Sequence, residues 1–432
     1  MKEEIFFKEQ LIHFIWQHGF FDIKQLKTID GKDVIIHHKG MLNTDSGADF
    51  SNALVEIDGI KWAGNIELHL YTSDWEKHNH QNNKAYNNTI LHVVYIHDKE
   101  IKTEDKQHIP IIELKNRIPN KYIETYKYLI ENKENIACAS QIKNVRSITK
   151  EQWLSSVLVE RLVEKSMKVK DIYTHTQNNW EETFYILIAT NFGFKINNET
   201  MIQLAQSLPL QIISKHKNSL LQLEALLLGQ AGFLDNNYTD GYFKNLKREY
   251  IHLRNKFGLK SLPNHIWKMM RTRPSNFPTI RLTQLASLIH QSSYMFSKIL
   301  AINHYKDAMM LLTCESSEYW NSHYQFDEET AIKSKKIGDQ SKHNIITNTI
   351  VPMLFLYGKE KGMDDFCEKA IDLLYEIPAE KNNLIEEWSK HYLKPKNMAD
   401  SQALIHLKNN YCNSHRCLEC MIGKELVTGL KI

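Results

Sequence analysis

Hydrophobic and polar positions divide the chain into two parts with different periods. Residues 3 to 19 repeat at helical spacing: Ile5, Leu11, Ile12, Ile15 and Trp16 share one face, and Gly19 supplies a stop. The period then shortens. "DVIIHHK", "NALVEID", "KWAGNIELHLY" and "TILHVVYIHD" are short apolar or alternating runs that predict strands, and Asp58-Gly59 in "IDGIKW" predicts a hairpin turn. "SDWEKHNHQNNKAYNN" (73–88) reads as mostly helical with Ser73 as its cap, and "KQHIPIIELKNRIP" closes the region with a further strand. The predicted order is helix, three strands, helix, strand.

Beyond about residue 147 the helical period takes over. "ITKEQWLSSVLVERLVEKSMK", "WEETFYILIATNFGF", "ETMIQLAQSLP", "SLLQLEALLLGQAGFL", "YFKNLKREYIHLRNKF", "TIRLTQLASLIHQ" and "MDDFCEKAIDLLYEI" all carry it, without a fixed repeat length. The expectation is an α+β chain: a mixed-sheet domain over 1–140 and a mostly helical domain over 141–432 that includes the C-terminal cysteines.

Composition changes this picture little. With 432 residues, 42% hydrophobic and 24% charged, the chain is long for one core. Its net charge of +3 is too small to imply a nucleic-acid partner. The distribution is less even, because residues 141–310 hold 22 lysines and arginines against 12 acids. The N-terminus has acids inside its apolar pattern and does not read as a secretory signal. No apolar run approaches membrane-spanning length, and six cysteines in a chain this long do not read as a disulfide framework. A cytoplasmic, non-secreted, non-membrane protein is expected.

Four groups of residues carry candidate chemistry. In "NIELHLY" the strand period puts Ile66, Leu68 and Leu70 on one face and Asn65, Glu67 and His69 on the other. Asp49, in "SGADF", precedes this stretch by about eighteen residues across a hairpin, so two carboxylates can supply hard oxygen ligands to Mg²⁺ or Mn²⁺ while His69 orients a water. Gly47 and Gly64 flank the acids and allow close approach, and Asp74, His78 and His80 follow on the next element. The bland alternative is that Asp49 caps a turn while Glu67 and His69 form a solvated strand face. A competing spelling, Asp98 with Glu113-Leu114-Lys115, lies among charged turn residues. A second reading of the same region gathers His69, His78, His80 and His92 around Zn²⁺, although a helical 73–88 segment would make His78 and His80 diverge.

The third group is Arg271, Arg273 and Arg281 in "MRTRPSNFPTIRLTQLA", a candidate site for nucleic-acid backbone beside a helix N-terminus, or else a set of structural ion pairs. The fourth is "YCNSHRCLEC", in which Cys412, His415, Cys417 and Cys420 can wrap a tetrahedral Zn²⁺; thiols that merely pack are the alternative.

Strand order and acid spacing resemble the core of PD-(D/E)XK nucleases, that is, a restriction-endonuclease-like fold. The resemblance implies that Asp49 and Glu67 hold the metal and that a lysine would stand where His69 stands, which is the departure. The run from His78 through Gln81 to Tyr86 is similar to the Q-x-x-x-Y helix of RecB-type nucleases, with four residues intervening here, and implies that His78, His80 and Tyr86 support the site. The same resemblance implies an iron–sulfur cluster, with Cys138 as partner to the C-terminal cysteines. Over nearly the whole length, "WAGNIELHLYTSDWEKHNH", "LEALLLGQAGFL", "RTRPSNFPTIRL", "NTIVPMLFLYG" and "YCNSHRCLECMIG" resemble a bacterial family known as domain of unknown function 2851, which implies no activity. The function expected is a metal-dependent nuclease or nuclease-derived nucleic-acid-processing protein. The alternatives are a non-catalytic binding or scaffold protein on a degenerate nuclease fold and a zinc-dependent hydrolase of a small substrate.

Overall fold

A computed structural model describes residues 7–269 and 273–429. The chain forms two compact units, the first comprising Met1–Leu154, Glu387–Leu393 and Ile405–Ile432, the second Ser155–Glu386 and Lys394–Leu404. The cysteine-bearing C-terminal segment therefore belongs with the sheet and not with the helical remainder.

The first unit is built on a mixed sheet of β1 (Val34–His38), β2 (Met41–Leu42), β3 (Phe50–Ile57), β4 (Ile60–Tyr71), β5 (Thr89–Ile96) and β6 (Ile111–Glu113), in the order β1-β3-β4-β5-β6 with β2 also on β3. Strands β1, β3 and β4 run antiparallel, whereas β5 and β6 continue parallel to β4. Asp58 and Gly59 both have positive φ and close the two-residue β3–β4 turn, as their identities predict.

Helix α1 (Gln10–His18) buries Leu11, Ile12, Phe14, Ile15 and Trp16, and Gly19 ends it in the left-handed conformation. These side chains meet Ile66 and Leu68 of β4, Leu91 and Val93 of β5, and Tyr122, Tyr126 and Leu129 of α3 (Asn120–Glu131) in one hydrophobic core. Full burial of each large apolar side chain contributes roughly 1.5–3 kcal/mol.

The opposite face of β4 differs from expectation. It is not a wet face: Glu67 is 4% and His69 1% exposed. Their cover is the segment between β4 and β5, which is not one helix but a single turn, α2 (Asp74–Lys77), followed by two 3₁₀ turns at His80–Asn82 and Lys84–Tyr86. Trp75 and Tyr86 from that segment pack with Ala48, Val94, Ile101, Ile109 and Ile111 into a second small core. Alternation reports which residues share a face, and it is blind to a lid laid over that face.

The second unit is helical as its periods predict, with helices Trp180–Phe192, Phe194–Ser207, Leu220–Gln230, Gly241–Phe257, Pro278–Gln291 and Asp364–Glu376 among others. Among the described residues no helix is long and apolar enough to cross a membrane.

Gly64 fixes the approach of β4 to the chain entering β5, because a Cβ there would lie 2.5 Å from Ile90 Cγ2 and 2.6 Å from the Asn88 carbonyl oxygen. Gly64→Ala is expected to cost about 1–3 kcal/mol in urea unfolding. Gly241→Ala, where a Cβ meets nothing within 4 Å, should change stability by less than about 0.5 kcal/mol.

Candidate metal centre

Antiparallel pairing of Phe50 with Ile66 sets Asp49 across from Glu67. Each carboxylate accepts a backbone N–H from the neighbouring segment: the Asp49 N–H donates to Glu67 Oε2 (3.0 Å) and the Leu68 N–H donates to Asp49 Oδ2 (2.9 Å). Each carboxyl group is thereby aimed, and the two face one small space. The other oxygen of Glu67, Oε1, lies 3.0 Å from His80 Nε2 and 3.5 Å from His69 Nε2.

His69 is the hub of an imidazole network. Its Nδ1 shares a 2.8 Å hydrogen bond with His92 Nε2, and its Nε2 lies 3.0 Å from His78 Nδ1. One ring nitrogen from each of His69, His78 and His80 falls within 4.8 Å of the others. The expected divergence of His78 and His80 does not occur. His78 caps α2, Asn79 takes a left-handed conformation (φ 63°), and His80 begins the next turn, so both rings return to His69. Tyr86 stacks on His80 with ring centroids 3.8 Å apart and donates to the Gly47 carbonyl oxygen (3.3 Å), so it braces the site from behind. Trp75 lies edge-on to His80 and tilted against His92.

Two participants were not anticipated. His13 Nε2 of α1 lies 3.3 Å from Asp49 Oδ2, and Glu9, one turn earlier, interacts electrostatically with His13, Asp49, Asp74 and Glu67. The signal was an i, i+4 Glu-His pair on a helix otherwise read only for its apolar stripe.

The electrostatics of the cluster favour a cation. Burial, with the charge of Asp49 adding to it, pushes the Glu67 carboxyl up to about 8, and burial pushes Glu9 up to about 7. Burial and the neighbouring imidazoles hold His69 far below its ordinary value, and His92 is pushed down to about 3 for the same reasons. Without a cation Glu67 therefore holds a proton at neutral pH and Glu9 shares one, while His69, His80 and His92 stay neutral with lone pairs available. His80 Nε2 and His13 Nε2 are buried beside carboxylate oxygens without hydrogen-bond alignment to them. Imidazole nitrogens and one carboxylate form a mixed donor set suited to Zn²⁺ or Mn²⁺ more than to Mg²⁺. A cation on His69 Nε2 requires the proton on Nδ1, and His92 Nε2 is placed to accept it.

The remaining candidates lie elsewhere. Asp98 accepts hydrogen bonds from the Ser73 N–H and hydroxyl, and Glu113 accepts from the His97 N–H, so the competing acid pair anchors loops. Asp74 accepts from the Tyr71 N–H. Arg271 lies outside the described residues, and Arg273 is exposed. Arg281 is 4% exposed, with its guanidinium over the Phe194 ring and donating to Gln284, Asn276 and Ser341. That guanidinium is committed inside the helical unit and does not meet solvent. Cys412, Cys417 and Cys420 gather around one cavity, from which His415 is absent and which Cys138 joins.

A family profile described as "Protein of unknown function (DUF2851)" matches residues 9–383. The chain belongs to this family. The match takes in every histidine and acid of the centre and stops short of the C-terminal cysteines. No curated protein and no solved structure matches the chain.

The shifted groups fix a pH dependence for the metal-free protein. Glu67 and Glu9 hold protons in the folded state that the unfolded chain releases near pH 4.5, so their contribution to stability falls as pH rises toward about 8 and about 7 respectively. His13, also raised, acts in the same direction. Neutral burial of His69 and His92 works the opposite way but is complete above their ordinary value of 6.5. In chelator, the melting temperature should therefore fall between pH 6.5 and 8, and Glu67→Gln should flatten that fall. An unchanged slope in Glu67→Gln would show that Glu67 carries no extra proton.

Proposed function

We propose that the chain is a metal-dependent hydrolase of phosphodiesters, a nuclease or a nuclease-derived nucleic-acid-processing protein. The observation that carries this reading is the convergence of Glu67, His69, His78 and His80 beside Asp49. Glu67 and the three histidines would hold Zn²⁺ or Mn²⁺, with Asp49 and Glu9 as further carboxylates at its edge. A cation held there supplies a water of lowered pKa and a Lewis acid for a phosphoryl oxygen.

The substrate class rests on the strand plan. An antiparallel meander is followed by strands parallel to its last member, with one acid at the entry to the second long strand and one within the third. That plan resembles the PD-(D/E)XK core. The residue that replaces the expected lysine, His69, is neutral and buried, and so acts as a ligand and not as a fixed positive charge. His13 carries a raised proton affinity, through its contact with Asp49 and the surrounding acids that outweighs its burial, so it suits proton delivery to a leaving oxygen. His92 and Tyr86 position ligands and do not themselves meet substrate.

The burial of Glu67, His69 and His80 favours a second reading, a zinc hydrolase whose substrate is small. Both readings are separated by one assay. The full chain would be given single-stranded and duplex oligonucleotides and, separately, bis(p-nitrophenyl) phosphate, with Mg²⁺, Mn²⁺ or Zn²⁺. The nuclease reading expects oligonucleotide cleavage strongest with Mn²⁺ or Zn²⁺, reduced at least about 100-fold in Glu67→Gln and His78→Ala. Cleavage confined to the small diester would favour the second reading, and metal-independent activity or equal activity in the variants would overturn both.

A further inference from the structure

We infer that the helical unit holds a binding site for a small organic cation, an ammonium or amidinium carried on an apolar body. The site is the cleft between the start of the helix Trp180–Phe192, the helix Leu210–Lys215 and the turn 292–295. It shares no residue with the histidine–carboxylate site.

The cleft has a volume of about 530 Å³. Small-molecule sites span roughly 300–1,000 Å³, and packing voids in a core are far smaller. Its walls are apolar: Phe184, Tyr185 and Ile188 come from the first helix, Ile289 and Met295 from the far side, and all five are at least nine-tenths buried. The Asn179 side chain caps the first helix at the Glu182 N–H (3.1 Å), which places Glu181 and Glu182 in the first turn, at the edge of the cleft.

These two acids give the cleft its chemistry. The Glu182 carboxylate accepts the Leu210 N–H at 3.1 and 3.2 Å. Glu181 accepts longer bonds, from the Phe296 N–H (3.3 Å) and from the N–H and hydroxyl of Ser297 (both 3.4 Å). Each acid thus caps a helix of 6 residues. Capping leaves much of their capacity unused, because an ionised carboxylate offers about four lone-pair sites. Among the described residues neither acid has a lysine or arginine in ion-pair contact. Burial raises the Glu182 carboxyl above its ordinary value, against the opposing bond from Leu210. Lys217 also lines the cleft, but its ammonium is held elsewhere: it donates to Ser293 Oγ (2.8 Å) and lies 5.8 Å from the centre of the Tyr294 ring.

Tyr294 is an independent sign of a ligand. It is 74% exposed and has φ 53°, a left-handed conformation that is unfavourable for a bulky side chain. A large aromatic held in this way at the mouth of an apolar cleft offers a π face to a cation, as it already does to the Lys217 ammonium.

Other occupants fit less well. An anion would meet Glu181 and Glu182, and a neutral apolar molecule would leave both acids without a counter-charge. A bare metal ion would find apolar walls, and among the described residues the grouped metal donors lie in the other site. Glu182 also borders a neighbouring cleft of about 420 Å³, where Asp171 adds a third carboxylate. An organic cation answers the acids and the apolar walls together.

The test is calorimetric titration of the full chain with probes that share a body and differ in charge: 4-phenylbutylamine, 4-phenylbutanol and 4-phenylbutyrate. The amine should bind saturably, the alcohol at least about 10-fold more weakly, and the butyrate not at all. Glu182→Gln keeps an acceptor for the Leu210 N–H and should weaken the amine by about 10-fold or more while leaving the alcohol unchanged. Should that variant fail to fold, Ser214→Trp serves: Ser214 is exposed and lines the cleft, so the indole should fill it and abolish binding of the amine. No saturable binding of the amine, equal binding of the three probes, or undiminished binding of the amine in either variant would each overturn the proposal.

Discussion

The first unit is organised around two carboxylates that its own backbone forces together. Asp49 and Glu67 each accept a hydrogen bond from the other strand, so their separation is fixed by the β3–β4 register and not by side-chain choice. Bringing two acids together under a lid is unfavourable unless a proton or a cation joins them. The rest of the site reads as a response to that constraint. Imidazoles from β4 and the turns that follow it face the same space, His92 hydrogen-bonds His69, and Tyr86 and Trp75 pack against the rings. A site stabilised only by protons loses them as pH rises, whereas a bound divalent cation removes the penalty outright.

How much of this was legible follows from what each residue type announces. The hairpin was readable because Asp58-Gly59 leaves few alternatives, and the spacing of Asp49 and Glu67 across it followed from strand geometry. The helices of the second unit were readable from their period. The burial of Glu67 and His69 was not, because the lid is irregular and its geometry depends on Asn79 adopting a positive φ that no local pattern demands. Glu9 and His13 were passed over because α1 was judged by its apolar stripe alone. Arg281 read either as a contact to nucleic-acid backbone or as part of a structural ion pair, since a buried arginine and an exposed one look alike until their partners are known. Cys138 has no local motif at all, and the chain return that brings residues 405–429 beside α3 is what gives it meaning.

Oxygen and imidazole donors gather where carboxylates are crowded, whereas the four thiols of Cys138, Cys412, Cys417 and Cys420 line a small cavity whose burial holds them above their ordinary value. Family membership, established over residues 9–383, carries no activity with it. The chemistry therefore rests on the donor sets.

The measurement that tests the central claim most directly is calorimetric titration of Mn²⁺ or Zn²⁺ at pH 7 in two buffers of different ionisation enthalpy. The difference between the two heats counts protons released on binding. Saturable binding with release of about one proton or more per cation is expected, because Glu67 and Glu9 are held near pKa values of about 8 and about 7. Absence of binding, or binding with no proton released, would contradict the account that a cation replaces protons between crowded carboxylates.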